Sequence, residues 1–170
     1  SIRIVASKNI NNLEKIPIFN LDIGNLRMES LEAFENNKFP NIKESFLNLK
    51  NRINVIKDKT LTLLSDLKKK NKLVVGYGAS TKGNTLLQYY GIDDSLINFI
   101  CERQSQKFGK LTPGSWIKII SDEEMRKIRP DYLFVLPWHF TSEFLQREKE
   151  LLKNGTKFIL PLPELKVIGE

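Results

Sequence analysis

From Lys72 onward, short apolar runs of strand length alternate with helical segments, and this alternation restricts the fold more than any other feature. Leu73-Val74-Val75 is followed by a glycine turn and a helix from about Lys82 to Tyr90. Ile97–Cys101 is a second strand and Ile117–Ile120 a short third. Asp122–Ile128 reads as a helix stopped by Pro130, and Tyr132–Leu136 as a fourth strand. Ser142–Lys153 reads as one helix ended by Asn154-Gly155, and Lys157–Leu160 as the last strand. Strands separated by helices must be joined by crossovers, which gives a mainly parallel sheet covered on both faces. The expectation is an α/β, Rossmann-like three-layer domain over residues 72–170. Such a sheet receives ligands at the carboxyl ends of its strands.

A long helix over 38–71 precedes that domain. Phe46, Leu49, Ile53, Ile56, Thr60, Leu63 and Leu67 recur at steps of three and four, one apolar stripe on a helix. Pro40-Asn41 supplies a start and Asn71 a stop. About 30 residues at ~1.5 Å each make a rod of roughly 45 Å, longer than a small domain is wide. Its stripe reads as an interface with another domain or with a second copy. Residues 1–37 read as the remnant of a preceding domain: a strand at Ser1–Val5, then a connecting segment with a short helix near Met28–Glu35. A lone terminal strand is not stable without partners.

The net charge of +7, from 27 Lys and Arg against 20 Asp and Glu, suggests an acidic partner until it is located. Residues 1–75 carry 14 basic and 8 acidic side chains, whereas 76–170 carry 13 and 12. The excess therefore lies on the long helix, whose Lys68-Lys69-Lys70 run suits the negative end of its dipole. Without interleaved arginines and aromatics, it does not read as a nucleic-acid surface. No stretch reaches the ~18 apolar residues of a membrane span, so no membrane partner is expected. The single cysteine, Cys101, permits no internal disulfide and no multi-cysteine zinc site within these residues. It reads as a small buried hydrophobe in a reducing, cytoplasmic setting.

The chemistry-bearing residues cluster at the expected ligand edge. Gly76-Tyr77-Gly78-Ala79-Ser80-Thr81-Lys82-Gly83-Asn84 follows the first strand and opens a helix, so backbone N–H groups and the helix dipole would face an anion. Ser80, Thr81 and Asn84 add hydrogen-bonding side chains and Lys82 a positive charge. Asn84 stands where a Walker loop needs lysine, and Thr81 where the strict dinucleotide fingerprint needs its third glycine. Spacing alone leaves a purely structural strand–helix turn open. Glu102, closing the second strand, is either a ribose acceptor or a surface acid paired with Arg103. His139, in Pro137-Trp138-His139-Phe140, is either a proton shuttle or phosphate donor, or a packing residue. As the only histidine, it cannot join a two-histidine metal site. Tyr77 reads as core and groove lining.

Val75–Asn84, Lys107-Phe108-Gly109, Thr112-Pro113-Gly114, Pro130-Asp131-Tyr132, Leu136–Phe140 and Pro161-Leu162-Pro163, in that order, resemble the C-terminal domain of SAM-dependent C-methyltransferases, including those acting on nucleotide-linked deoxysugars. The resemblance is dense over 72–168 and looser before it. It departs after Glu102, where relatives often carry Asn-Pro and this chain has Gln104-Ser105. The resemblance implies a three-part enzyme with an N-terminal zinc module, a central SAM-binding domain and this domain. A nucleotide-sugar substrate would lie in the cleft between domains. SAM, zinc and the catalytic base would then belong to the missing domains, this fragment alone would be inactive, and it would contain no catalytic residue. It also implies substrate contacts from Tyr77, Gly78, Ala79, Ser80, Thr81, Lys82 and Asn84 near the diphosphate. Glu102 and Lys107 would lie near the nucleoside, and His139 near the sugar or phosphate. Two other readings stay open: a nucleotide-sensing module that dimerises through its long helix, and an NAD-dependent oxidoreductase, which the incomplete fingerprint disfavours.

Overall fold

A computed structural model describes Lys8 and residues 21–169. The expected strand at Ser1–Val5 lies outside the described residues. The chain divides into two units, Ser1–Lys50 and Asn51–Glu170. In the first, helix α1 spans Leu21–Lys38, more than twice the length expected around Met28–Glu35. Helix α2 spans Ile42–Lys69 and crosses the division.

The second unit holds the sheet: β1 (Val74–Tyr77), β2 (Phe99–Glu102), β3 (Lys118–Ser121), β4 (Tyr132–Val135), β5 (Lys157–Leu160) and β6 (Lys166–Ile168). The strand order is β3-β2-β1-β4-β5-β6. The first five strands are parallel, and β6 is antiparallel to β5. Successive strands run outward from β1 to β3, then the chain returns to β1's other side with β4. The order therefore reverses between β1 and β4, where an open parallel sheet leaves a crevice at its carboxyl edge. Helices α3 (Thr81–Tyr90), α4 (Asp122–Ile128), α5 (Thr141–Arg147) and α6 (Lys149–Lys153) lie within the crossovers.

Alternation along the strands divides the core into two layers. Val74, Ile100, Phe134 and Ile159 meet Leu86, Leu87 and Tyr90 of α3, together with Leu64 and Leu67 of α2. Val75, Tyr77, Cys101, Leu133, Val135 and Phe158 meet Met125 of α4, Phe144 of α5 and Leu151 of α6. The stripe from Ile53 to Leu67 is thus used within its own unit. Thr60, fully buried on that stripe, satisfies its hydroxyl on the Ile56 carbonyl at 2.7 Å.

Two further elements depart from the sequence expectation. The helix expected over Ser142–Lys153 is broken at Glu148 (φ −101°, ψ 30°), whose side chain turns into the protein rather than to solvent. β6 was not foreseen. It has three residues, Lys166 and Val167 are exposed, and it carries no apolar alternation to betray it.

Candidate functional site

The carboxyl ends of β1 and β2, the turn after β4 and the α5 helix enclose a cleft of about 380 Å³. Its β1 wall is Tyr77, Gly78, Ala79 and Ser80. Gly78 has φ +86°, and a Cβ there would lie 2.8 Å from Pro137 Cγ, so only glycine allows the chain to turn this close to the β4 exit. Ser80 caps α3, its Oγ accepting from the Gly83 amide at 3.1 Å. Gly83 lets α3 approach β4, because a Cβ would meet Leu136 Cβ at 2.5 Å. Helix–strand contact through glycine, which the dinucleotide fingerprint places two residues earlier, is achieved here at Gly83.

Glu102 and Lys107 bridge the two strand ends. Lys107 Nζ donates to Glu102 Oε2 at 3.0 Å and to the Ala79 carbonyl at 2.9 Å. Glu102 Oε1 accepts the amides of Arg103 (2.8 Å) and Gln104 (3.2 Å). Burial alone would push the Glu102 carboxyl up, but Lys107 and those two amides hold it below its ordinary value. Both oxygens are engaged by the protein, so Glu102 ties the loops together, and Oε2, with one bond from Lys107, keeps capacity for a further donor.

Tyr77, Gly78, Ala79, Ser80, Glu102 and Lys107 thus come together on the cleft. Thr81, Lys82, Asn84 and His139 do not line it. Thr81 and Lys82 are exposed at the start of α3, and Lys82 makes no side-chain hydrogen bond or ion pair among the described residues. Asn84 is half-buried, with Oδ1 lacking a partner among the described residues. His139 is exposed on the single turn Trp138–Phe140, its ring 5.8 Å from Trp138 and 4.5 Å from Phe140. Cys101 is buried, and its surroundings push the thiol well above its ordinary value, burial most of all.

The other wall was not visible as a site in the sequence. Asp122, Phe140, Glu143, Phe144 and Arg147 line it. Behind them Glu148, 2% exposed, accepts from Tyr77 Oη at 2.7 Å and from Arg126 Nε and Nη2 at 3.0 and 2.6 Å. Arg147 Nε donates to Tyr77 Oη at 2.9 Å, and its guanidinium stacks 5.1 Å from the Phe144 ring centre. The Tyr77 hydroxyl is saturated: it donates once and accepts from Arg147. Burial, reinforced by Glu148, pushes it far above the ordinary phenol value. It braces Arg147 against Glu148. Burial likewise raises the Asp122 carboxyl, against the neighbouring Arg126 and Arg147. One signal for this network was present: Phe144, Glu148 and Leu151 share a helix face, and a carboxylate between two core residues must have partners.

No group of three His, Cys, Asp or Glu placed to hold a metal occurs among the described residues, and no helix there is long and apolar enough to cross a membrane. A family model described as the C-methyltransferase C-terminal domain matches residues 23–163. C-methyltransferase NovU of Streptomyces niveus is 44% identical over 98 residues, which is 58% of this chain and 23% of that protein. The chain thus spans about a quarter of the length of the curated relative it matches.

Proposed function

The chain belongs to the family of C-methyltransferase C-terminal domains, and on that premise we propose that it supplies one wall of the substrate pocket of a SAM-dependent C-methyltransferase acting on a nucleotide-linked keto-deoxysugar. The observation that carries this reading is the start of α3 opening at the edge of a cleft beside the strand-order reversal. The first free amides of a helix and its positive dipole end favour a phosphate there.

The described residues do not fit SAM or zinc. The glycine turn lacks the strict dinucleotide spacing, and no metal-holding group of side chains converges among the described residues. On our reading SAM, which provides the methyl group when bound, belongs to a separate domain, as does zinc. The residues of this chain bind and orient the nucleotide-linked sugar, the methyl acceptor, and the proton abstraction and methyl transfer proceed on groups outside it. The fragment alone should not turn over.

Calorimetric titration with dTDP-, UDP- and GDP-linked sugars tests the pocket. Ser80→Asp keeps an efficient helix cap but puts a negative charge where the diphosphate would sit. The variant should fold as the wild type does and lose nucleotide-sugar binding. Equal binding by wild type and Ser80→Asp would remove the phosphate from this turn.

A further inference from the structure

Lys82 is the cation that the sequence offers for a diphosphate, yet it stands outside the cleft lining. Lys107 lines the cleft, but Glu102 and the Ala79 carbonyl engage two of its three ammonium donors and the Glu102 carboxylate offsets its charge. Two cations remain among the lining residues, Arg103 and Arg147. The Arg103 side chain is exposed and makes no hydrogen bond or ion pair among the described residues, so ordering it on a ligand costs side-chain entropy.

Arg147 differs because the protein has already fixed it. Its Nε and Nη2 both donate to the Tyr77 hydroxyl, which the buried Glu148 anchors from behind. Phe144 and Tyr77 support the guanidinium plane, with ring centres 5.1 and 5.4 Å away. Of the five N–H groups, the two on Nη1 meet Glu143 at 3.7 Å, a carboxylate 62% exposed, and the Asp122 carboxylate on the same wall also attracts the guanidinium. A guanidinium held along one edge and open along the other is preorganised for a fork-like grip on phosphate oxygens.

We propose that Arg147 is the residue of this domain that grips the ligand's diphosphate, displacing Glu143, while Tyr77 and Glu148 are positioning residues that hold it. The proposal rests on the reading of the cleft as a nucleotide-sugar pocket, and it replaces Lys82 as the source of charge.

The test is a titration of the 15N-labelled chain with dTDP and, separately, with thymidine, followed by NMR at the Arg147 side-chain Nε–Hε resonance. That resonance is identified by its disappearance in Arg147→Lys. dTDP should shift it and thymidine should not. Arg147→Gln should weaken dTDP by about tenfold or more, the size of a charge-assisted hydrogen bond, and leave thymidine within about twofold. A merely structural arginine would weaken both ligands together. Arg103→Gln should have the smaller effect on dTDP. Tyr77→Phe, which keeps the ring and removes the brace, should weaken dTDP while thymidine is unaffected. If dTDP shifts the Ser80 and Gly83 amides but leaves the Arg147 resonance unmoved, Arg147 is not the grip and the pocket reading survives. If millimolar dTDP moves neither, both fall.

Discussion

Replacing Glu148 by glutamine isolates the charge of the buried carboxylate while nearly preserving its shape. In the wild type this side chain is 2% exposed and takes three donors, from Tyr77 Oη and from both Nε and Nη2 of Arg126. The amide oxygen of glutamine, placed where Oε1 sits, can keep the bonds from Tyr77 Oη and Arg126 Nη2, but its NH2 group then faces Arg126 Nε, which has only a donor to offer. Breaking a buried ion pair on one side costs about 3–5 kcal/mol. The lower end applies, since the Arg126 side chain is 42% exposed and regains water. A loss of about 3 kcal/mol corresponds to about 6–12 °C in Tm for a domain of this size. Urea denaturation followed by far-UV circular dichroism would measure it, with Arg126→Gln and the double variant completing a cycle. The second substitution should cost much less once the first is made. A Glu148→Gln variant within about 0.5 kcal/mol of wild type, a typical surface effect, would refute the assignment of this network as a structural anchor.

Other consequences follow from the same geometry. Gly83→Ala gains up to about 1 kcal/mol of helix propensity, but its Cβ would sit 2.5 Å from Leu136 Cβ on a β4-anchored backbone. Overpacking costs about 1–3 kcal/mol, so the same denaturation assay should show net destabilisation, and a stabilised variant would mean α3 can lift from the sheet freely. Burial would raise the Glu148 carboxyl, but Arg126 and Tyr77 outweigh it and hold the folded-state value below the ordinary one. Its contribution is therefore present above the unfolded carboxyl value, about 4.3, and disappears as pH falls through the folded one. The stability gap between wild type and Glu148→Gln should close in acid-titration melts below about pH 4, and a gap that stays constant to pH 2 would contradict the shift.

Much of the architecture was legible because it follows from pattern. The α4 span and the β5 span match their expected bounds, since Pro130 stops the first and Asn154-Gly155 precedes the second. The β1 turn was legible for the same reason, as glycines after an apolar strand permit little else. What stayed hidden depends on tertiary partners. Arg147 and Glu148 are adjacent polar residues on a helix that periodicity reads as one piece. Only the fold shows that one reaches Tyr77 from the cleft side and the other from the core. Lys82 lies outside the cleft lining for the converse reason: being next to a glycine turn in sequence does not determine which way a helix residue's side chain faces. Lys107, 28 residues from Ala79, shows how loops meet at a strand edge that no local spacing encodes.

The most direct measurement is the electron density of this chain crystallised with dTDP. A diphosphate lying between the Ser80 turn and the Arg147 guanidinium is the expected result. Density for the nucleotide at any other surface, with this cleft filled only by solvent, would contradict the account.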